Sequence, residues 1–82
     1  MRIDKFLNTV NLTKRRSVAQ DMIANSVILI DGVVAKASKN VAVGSIITIN
    51  YLEHAKKYQV LQIPQTKSTP KSLQDEYIKE IS

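Results

Sequence analysis

Hydrophobic residues near the amino end recur at helical spacing. Ile3, Phe6, Leu7 and Val10 fall at positions i, i+3, i+4 and i+7, which places them on one stripe of a helix. The basic residues of the same segment fall on another face. This pattern predicts a short amphipathic helix with its cations directed away from the core.

A second short helix is predicted to start at Thr13 or Ser17 and to end at Ala24. Ser17 is a suitable N-cap, because its hydroxyl can accept a hydrogen bond from a free amide of the first turn, and Gln20 completes a capping-box pattern. The apolar residues expected to face the core are Val18, Ala19, Met22 and Ile23. The connection at 11–13 is short, so the two helices are expected to pack side by side.

After residue 26 the pattern becomes that of strands. The apolar runs 27–30 and 33–35 flank Asp31-Gly32, which favours a hairpin with a type I′ turn. Further strands are predicted at 46–51 and 58–63, and residues 54–57 are predicted to form the loop between them.

The carboxyl-terminal segment differs in composition. Residues 66–70 are typical of a linker, and Leu73, Tyr77 and Ile81 repeat at i, i+4 and i+8. This spacing predicts a helix over 70–80, capped by Thr69, which either docks on the body or remains a flexible tail.

Length and charge narrow the class of protein. The chain has 82 residues, enough for one domain, and a net charge of +5 that is carried entirely by residues 1–57. Such a basic domain favours a polyanionic partner, of which nucleic acid is the commonest. No apolar run is long enough to span a membrane and the start lacks the apolar stretch of a signal peptide, so we expect a cytoplasmic protein without a membrane partner.

Residues suited to catalysis or metal binding are few. There is no cysteine, and the single histidine, His54, lies in a predicted loop beside two lysines. Asp75 and Glu76 form the only pair of adjacent acidic residues, but adjacent side chains diverge on a helix, so the two carboxylates cannot act together. We therefore expect no enzyme activity, no cofactor, no metal and no small-molecule substrate.

The basic residues form a more specific pattern. We call five of them the N-terminal basic cluster: Arg2, Lys5, Lys14, Arg15 and Arg16. They can share one surface if the two helices pack side by side, and the arginine forks match phosphate oxygens. Ser17, Lys36 and Lys39 are candidate additions, although both lysines could simply face water. Few aromatic residues are available for stacking on bases, so recognition of folded RNA through its backbone and shape is favoured.

Five segments together resemble the S4 RNA-binding domain, also called the alpha-L RNA-binding motif. They are MRIDKFL at 1–7, KRRSVA at 14–19, IDG at 30–32, AKAS at 35–38 and VGSIITI at 43–49. The resemblance covers residues 1–51. It implies an α+β fold in which two antiparallel helices pack on a small bent antiparallel sheet, and it implies RNA-binding roles for the N-terminal basic cluster.

The short chain is similar to two families of stand-alone bacterial S4 proteins, the quality-control peptidyl-site factors and the related ribosome-binding heat-shock proteins. This similarity implies binding to rRNA and tRNA on the large ribosomal subunit, in rescue or quality control of stalled peptidyl-tRNA complexes. We expect a monomer, with an S4-type domain and an extra strand pair at 1–63, followed by a linker and a short helix or flexible tail at 64–82.

Three positions depart from the family pattern. One is Ser45, since the usual Gly-Asp pair is Gly44-Ser45 here, and this change is expected to alter only a turn. Ser26 stands where a glycine is common, so the left-handed turn must fall on Asn25 or strain Ser26, and Val27 replaces a frequent basic residue. Two other functions stay open at this point. One is a DNA-binding regulator that uses the second helix, and the other is a general module for structured RNA unrelated to ribosome rescue.

Overall fold

The computed structural model describes residues 1–65 and 69–81. Its elements in chain order are α1 (Ile3–Thr9), α2 (Arg16–Ala24), β1 (Ile28–Ile30), β2 (Val33–Val34), β3 (Ile46–Asn50), β4 (Ala55–Val60), a 3₁₀ turn (Lys71–Leu73), α3 (Gln74–Tyr77) and β5 (Ile78–Glu80). None of the helices in this part of the chain has the length and apolar character needed to cross a membrane.

The predicted stripe is confirmed, because the three apolar residues of α1 and its C-cap Val10 are fully buried. Helix α2 starts at Arg16 rather than at Thr13 or Ser17. Its N-cap is Arg15, which makes no side-chain capping bond, so the prediction of a Ser17 cap is wrong. Arg16 in the first turn is held by a carboxylate on α1, and the N-cap lies two residues ahead of the predicted one. Val18 is 42% exposed and does not face the core, contrary to prediction.

The strands form an antiparallel sheet in the order β2-β1-β3-β4-β5. The turn between β1 and β2 confirms the type I′ prediction, because Asp31 and Gly32 have φ of 52° and 83°. The Asp31 carboxylate also accepts a hydrogen bond from the Ile46 amide at 2.9 Å, which ties this turn to the start of β3.

Strand β4 is displaced towards the amino end from its predicted position. Residues 55–57, predicted as loop, belong to β4, which ends at Val60. The prediction was wrong because the turn before β4 is tight: the Tyr51 amide donates to the His54 carbonyl at 2.7 Å, and Asn50 already pairs with Ala55.

The predicted helix over 70–80 is also wrong. Helical turns cover only 71–77, and Ile78–Glu80 pairs with β4 as β5. This pairing satisfies the backbone groups of β4 and buries Ile78, whereas Leu73 and Ile81 of the predicted stripe are exposed. Thr69 makes no capping bond. Its hydroxyl donates instead to the Thr9 carbonyl, at 2.8 Å. Of the predicted linker, residues 66–68 lie outside the described part.

The core lies between the helices and one face of the sheet, which we call the inner face. Inner-face residues meet across the strands, as in the pairs Ile30 with Ile47 and Val60 with Ile78. With Phe6 and the other buried residues of α1 and α2 they form one cluster. The opposite, outer face of the sheet is not covered by α1 or α2, so the helices and the outer face are two separate surfaces.

Candidate nucleic-acid interface

The start of α1 lies against the loop at 36–40. The Ile3 amide donates to the Lys39 carbonyl at 2.9 Å, and Arg2 forms an isolated β-bridge with Asn40. The amide of Val41 donates to the Met1 carbonyl at 2.9 Å, which extends the contact. The backbone contacts therefore bring Lys39, distant in sequence, next to Arg2, and both side chains are exposed.

A buried carboxylate joins α1 to α2. Asp4 accepts hydrogen bonds from Arg16 Nε at 3.1 Å, from Gln20 Nε2 at 3.1 Å and from the amide of Lys5 at 2.8 Å. The Asp4 side chain is 4% exposed, whereas that of Arg16 is 48% exposed. One carboxylate of α1 thus holds the side chain of Arg16, which belongs to α2.

The electrostatics of this site favour the ionised carboxylate. Burial, the largest single effect, raises the pKa of Asp4, but hydrogen bonds from Gln20, Arg16 and the Lys5 amide, together with the Arg16 charge, bring its pKa below the ordinary value. Arg16 engages Asp4 through Nε. Its Nη groups donate no hydrogen bond to residues 1–65 or 69–81, so they remain able to donate to an external anion.

The connection between the helices carries two further cations. Lys14 and Arg15 are exposed, and the backbone beneath them is fixed by Thr13, whose hydroxyl donates to the Arg15 carbonyl at 3.2 Å. Asn11, with φ 66°, donates from its side-chain amide to the Thr69 carbonyl at 2.8 Å. The cations of this connection are therefore presented from an anchored loop.

The remaining predicted residues are Ser17 and Lys36, and both are exposed. Ser17 is exposed within the first turn of α2, and its role as a helix cap is lost. Arg16, which would precede α2 if the helix began at Ser17, is its first residue. Lys36 is exposed in the loop at 36–40, and its carbonyl accepts a hydrogen bond from the Lys39 amide at 2.9 Å.

Two features were missed by the sequence analysis. An open groove of about 680 Å³ lies between the β1–β2 hairpin and the loop at 36–40, with Val33, Lys36 and Lys39 among its lining residues. The rings of Tyr51 and His54 stack across the turn before β4, with centroids 4.8 Å apart. The groove depends on how the loop folds back on the sheet, which composition does not reveal.

The left-handed turn after α2 falls on Ser26, which has φ 60°, while Asn25 has φ −90°. Of the two alternatives, the structure therefore selects the strained serine. Val27, which replaces a frequent basic residue, is half-buried and packs against the core.

Known proteins match this chain in sequence and in structure. The S4 domain model matches residues 1–47. Over 71 residues the chain is 46% identical to the RQC P-site tRNA stabilizing factor of Helicobacter pylori (strain ATCC 700392 / 26695), covering 87% of this chain and 84% of that protein. It is 37% identical over 71 residues to the factor of the same name from Bacillus subtilis (strain 168), covering 87% and 79%.

Solved structures agree over the whole chain. The trimeric structure of Vibrio cholerae Heat Shock Protein 15 matches with a TM-score of 0.89 at 26% identity, covering 100% of this chain and 82% of that one. The solution structure of the hypothetical protein HP1423 matches with a TM-score of 0.86 at 43% identity, covering 100% and 98%. With its helical pair, its antiparallel sheet and these relatives, the chain belongs to the S4 domain family.

Proposed function

We propose that this chain is a non-enzymatic factor that binds structured rRNA and tRNA on the large ribosomal subunit and acts in rescue or quality control of stalled peptidyl-tRNA complexes. The observation that carries the proposal is the buried Asp4 carboxylate, which joins α1 to α2 by binding the half-exposed side chain of Arg16, with the exposed Lys5 next to Asp4 in the chain. The names of the relatives, which include tRNA stabilization at the P site, support tRNA as one partner.

The surface suits a phosphate backbone. Arg16 can donate from its Nη groups while Nε stays on Asp4, so its guanidinium is oriented before RNA arrives. Arg2 and Lys39 extend the surface from the start of α1, and Lys14 and Arg15 extend it from the connection. Because these backbones are hydrogen-bonded to the rest of the domain, little ordering accompanies binding, which favours affinity.

The alternative of a DNA-binding regulator receives less support from α2. On its polar face, Gln20 donates to Asp4 and Asn25 donates to the Asp21 carbonyl at 2.8 Å. Both amides are thus already engaged, and the exposed Asp21 would repel phosphates. An amide held in this way is less free to turn and form the two-bond contact with a base edge that reads sequence in a major groove.

The proposal is tested by binding of an unmodified tRNA transcript over a range of salt concentrations. If the cluster contacts about four or five phosphates, log affinity falls with log salt with a slope of roughly −3 to −4. Arg2→Ala and Arg16→Ala should each weaken binding by about 1–2 kcal/mol. Lys56→Ala is the matched control, because it removes the same charge at a site paired with Glu80.

Equal affinity for a DNA duplex, or unchanged binding in both arginine variants, would contradict the RNA assignment. Sedimentation of the tagged chain with ribosomal fractions, before and after induced stalling, then tests the ribosomal state. We propose that the chain enriches on large subunits after stalling and does so as a cytoplasmic monomer. A factor restricted to general RNA binding would show no such enrichment.

A further inference from the structure

The end of α1 is bonded to the far end of the chain. The last carbonyls of a helix have no partner within it. In this chain the Thr9 carbonyl accepts hydrogen bonds from the Thr69 hydroxyl at 2.8 Å and from the Thr69 amide at 3.2 Å. The carbonyl of Val10, the C-cap of α1, accepts one from Gln74 Nε2 at 2.7 Å. Segment 69–77 therefore supplies donors that α1 itself lacks at this end.

Thr69 also holds the connection that follows α1. Asn11 Nδ2 donates to the Thr69 carbonyl at 2.8 Å, so Thr69 both donates to the helix and accepts from the connection. Asn11 has φ 66°, and a residue other than glycine keeps this left-handed conformation only where its surroundings hold it. Thr69 is 6% exposed, so these bonds are shielded from competition with water. The backbone at the start of the connection is therefore fixed by a residue far along the chain.

The same connection leads to two cations of the N-terminal basic cluster. Thr13 is buried, and its hydroxyl donates to the Arg15 carbonyl at 3.2 Å. Lys14 lies between these two residues, and the side chains of Lys14 and Arg15 are exposed. A shift of the backbone at Asn11 would move the position from which both cations extend. Fixing this backbone before RNA arrives lowers the ordering cost of binding.

We propose that Thr69 and Gln74 are positioning residues for RNA binding, because they hold the end of α1 and thereby fix the connection that presents Lys14 and Arg15. The inference rests on the proposed RNA-binding function. It assigns a role to segment 69–77, which lies outside the residues 1–47 that the S4 domain model matches. Neither side chain is charged and both donate to backbone carbonyls, so they act through the connection and not through contact with phosphate.

A double-mutant cycle tests the inference. Thr69→Val combined with Gln74→Met removes the two side-chain donors and nearly keeps their shape. Binding of an unmodified tRNA transcript should weaken about three- to tenfold, because ordering of the connection must then accompany binding. In a chain that already carries Lys14→Gln and Arg15→Gln, the same two substitutions should weaken binding less than about 1.5-fold, because they act only through those cations. Hydrogen exchange at 11–15 should accelerate, and exchange in β3 should stay unchanged.

Two controls separate positioning from a general loss of stability. Thr69→Ser keeps the hydroxyl and should bind tRNA like the unsubstituted chain. Ile49→Val shortens a fully buried side chain of β3, so it lowers stability without touching the connection, and it should leave tRNA binding unchanged. Circular dichroism checks that every variant is folded. If the combined variant unfolds, Thr69→Val alone is compared with Thr69→Ser, with an expected loss of affinity of at least about twofold.

Undiminished tRNA binding by the folded variants that lack the Thr69 hydroxyl would overturn the inference. Equal losses of affinity with and without Lys14 and Arg15, or an equal loss in Ile49→Val, would overturn it as well. Absence of tRNA binding by the unsubstituted chain would instead refute the proposed function. Binding that depends on Arg2 and Arg16 but not on Thr69 or Gln74 would refute only the positioning role.

Discussion

The helical layer and the edge of the sheet each contain one ion pair, and the two pairs differ in their surroundings. Asp4 and Arg16 are 3.1 Å apart, with the carboxylate 4% exposed and two further donors on it. Lys56 and Glu80 are 3.7 Å apart, with side chains 44% and 50% exposed. The acid of the first pair is almost completely shielded from water, whereas both side chains of the second pair keep about half of their exposure to it.

This difference separates two uses of charge in one small domain. The buried acid links two helices and orients a cation that reaches solvent, so its removal should affect both the fold and the binding surface. The exposed pair gains little from an attraction that water and salt screen. Charge therefore contributes more to stability at the helices than at the edge of the sheet.

The largest expected effect is that of Asp4→Ala. This change removes the acceptor for three donors and leaves Arg16 without its partner, so the free energy of unfolding should fall by about 2–3 kcal/mol. Urea unfolding followed by circular dichroism measures this loss. A loss as small as that caused by Glu80→Ala would contradict the distinction between the two pairs.

The second effect is a dependence of stability on pH. The pKa of Asp4 is lowered in the folded chain, so its stabilising contribution is complete above the unfolded value of about 3.9 and is lost as the pH falls through the folded value. Acidification through this window should therefore destabilise the chain. Between pH 6 and about pH 2, the free energy of unfolding should change less with pH for Asp4→Asn than for the unsubstituted chain. Equal slopes for the two proteins would show that the Asp4 carboxylate does not cause the pH dependence.

A smaller and opposite effect is expected at the end of α2. Ser26→Gly should raise the free energy of unfolding by about 0.5–1 kcal/mol, because glycine adopts the left-handed conformation at φ 60° without the strain of a side chain. Asn25→Gly is the matched control, since φ there is −90° and glycine relieves nothing. Thermal unfolding of both variants decides the point, and stabilisation by both would argue against strain at Ser26.

The smallest effect is expected for Glu80→Gln. Because both partners are half exposed, loss of the pair with Lys56 should change the free energy of unfolding by less than about 0.5 kcal/mol, and high salt should abolish the difference. Unfolding in low and high salt provides the comparison. A loss of unfolding free energy close to that of Asp4→Ala would show that the exposed pair stabilises the fold as much as the buried one.

Local patterns sufficed where the cause is local. The stripe of α1 is buried as its spacing indicates, and Asp31-Gly32 forms the turn that its residues favour, since each depends on neighbours a few positions away. The start of α2 was misplaced because Arg16 is held by Asp4, twelve residues earlier in the chain. No local capping pattern contains that contact.

The carboxyl-terminal segment shows the same limit on a larger scale. Residues Gln74–Tyr77 are helical, as the spacing predicts. Residues Ile78–Glu80 instead form a strand, because they pair with the free edge of β4. For the candidate site, the sequence identified the cations by type and position. It could not show that Arg16 Nε is hydrogen-bonded to Asp4, or that the loop at 36–40 lies beside Arg2. Both contacts depend on tertiary packing.

The contact between Thr69 and Thr9 has a consequence for folding kinetics. It joins residues separated by 60 positions, and the neighbouring bond from Gln74 to the Val10 carbonyl spans 64. Closing loops of this size costs entropy that only an assembled core can offset, so these bonds should form after the rate-limiting barrier. Such bonds lower the rate of unfolding and leave the rate of folding nearly unchanged, so they prolong the lifetime of the native state.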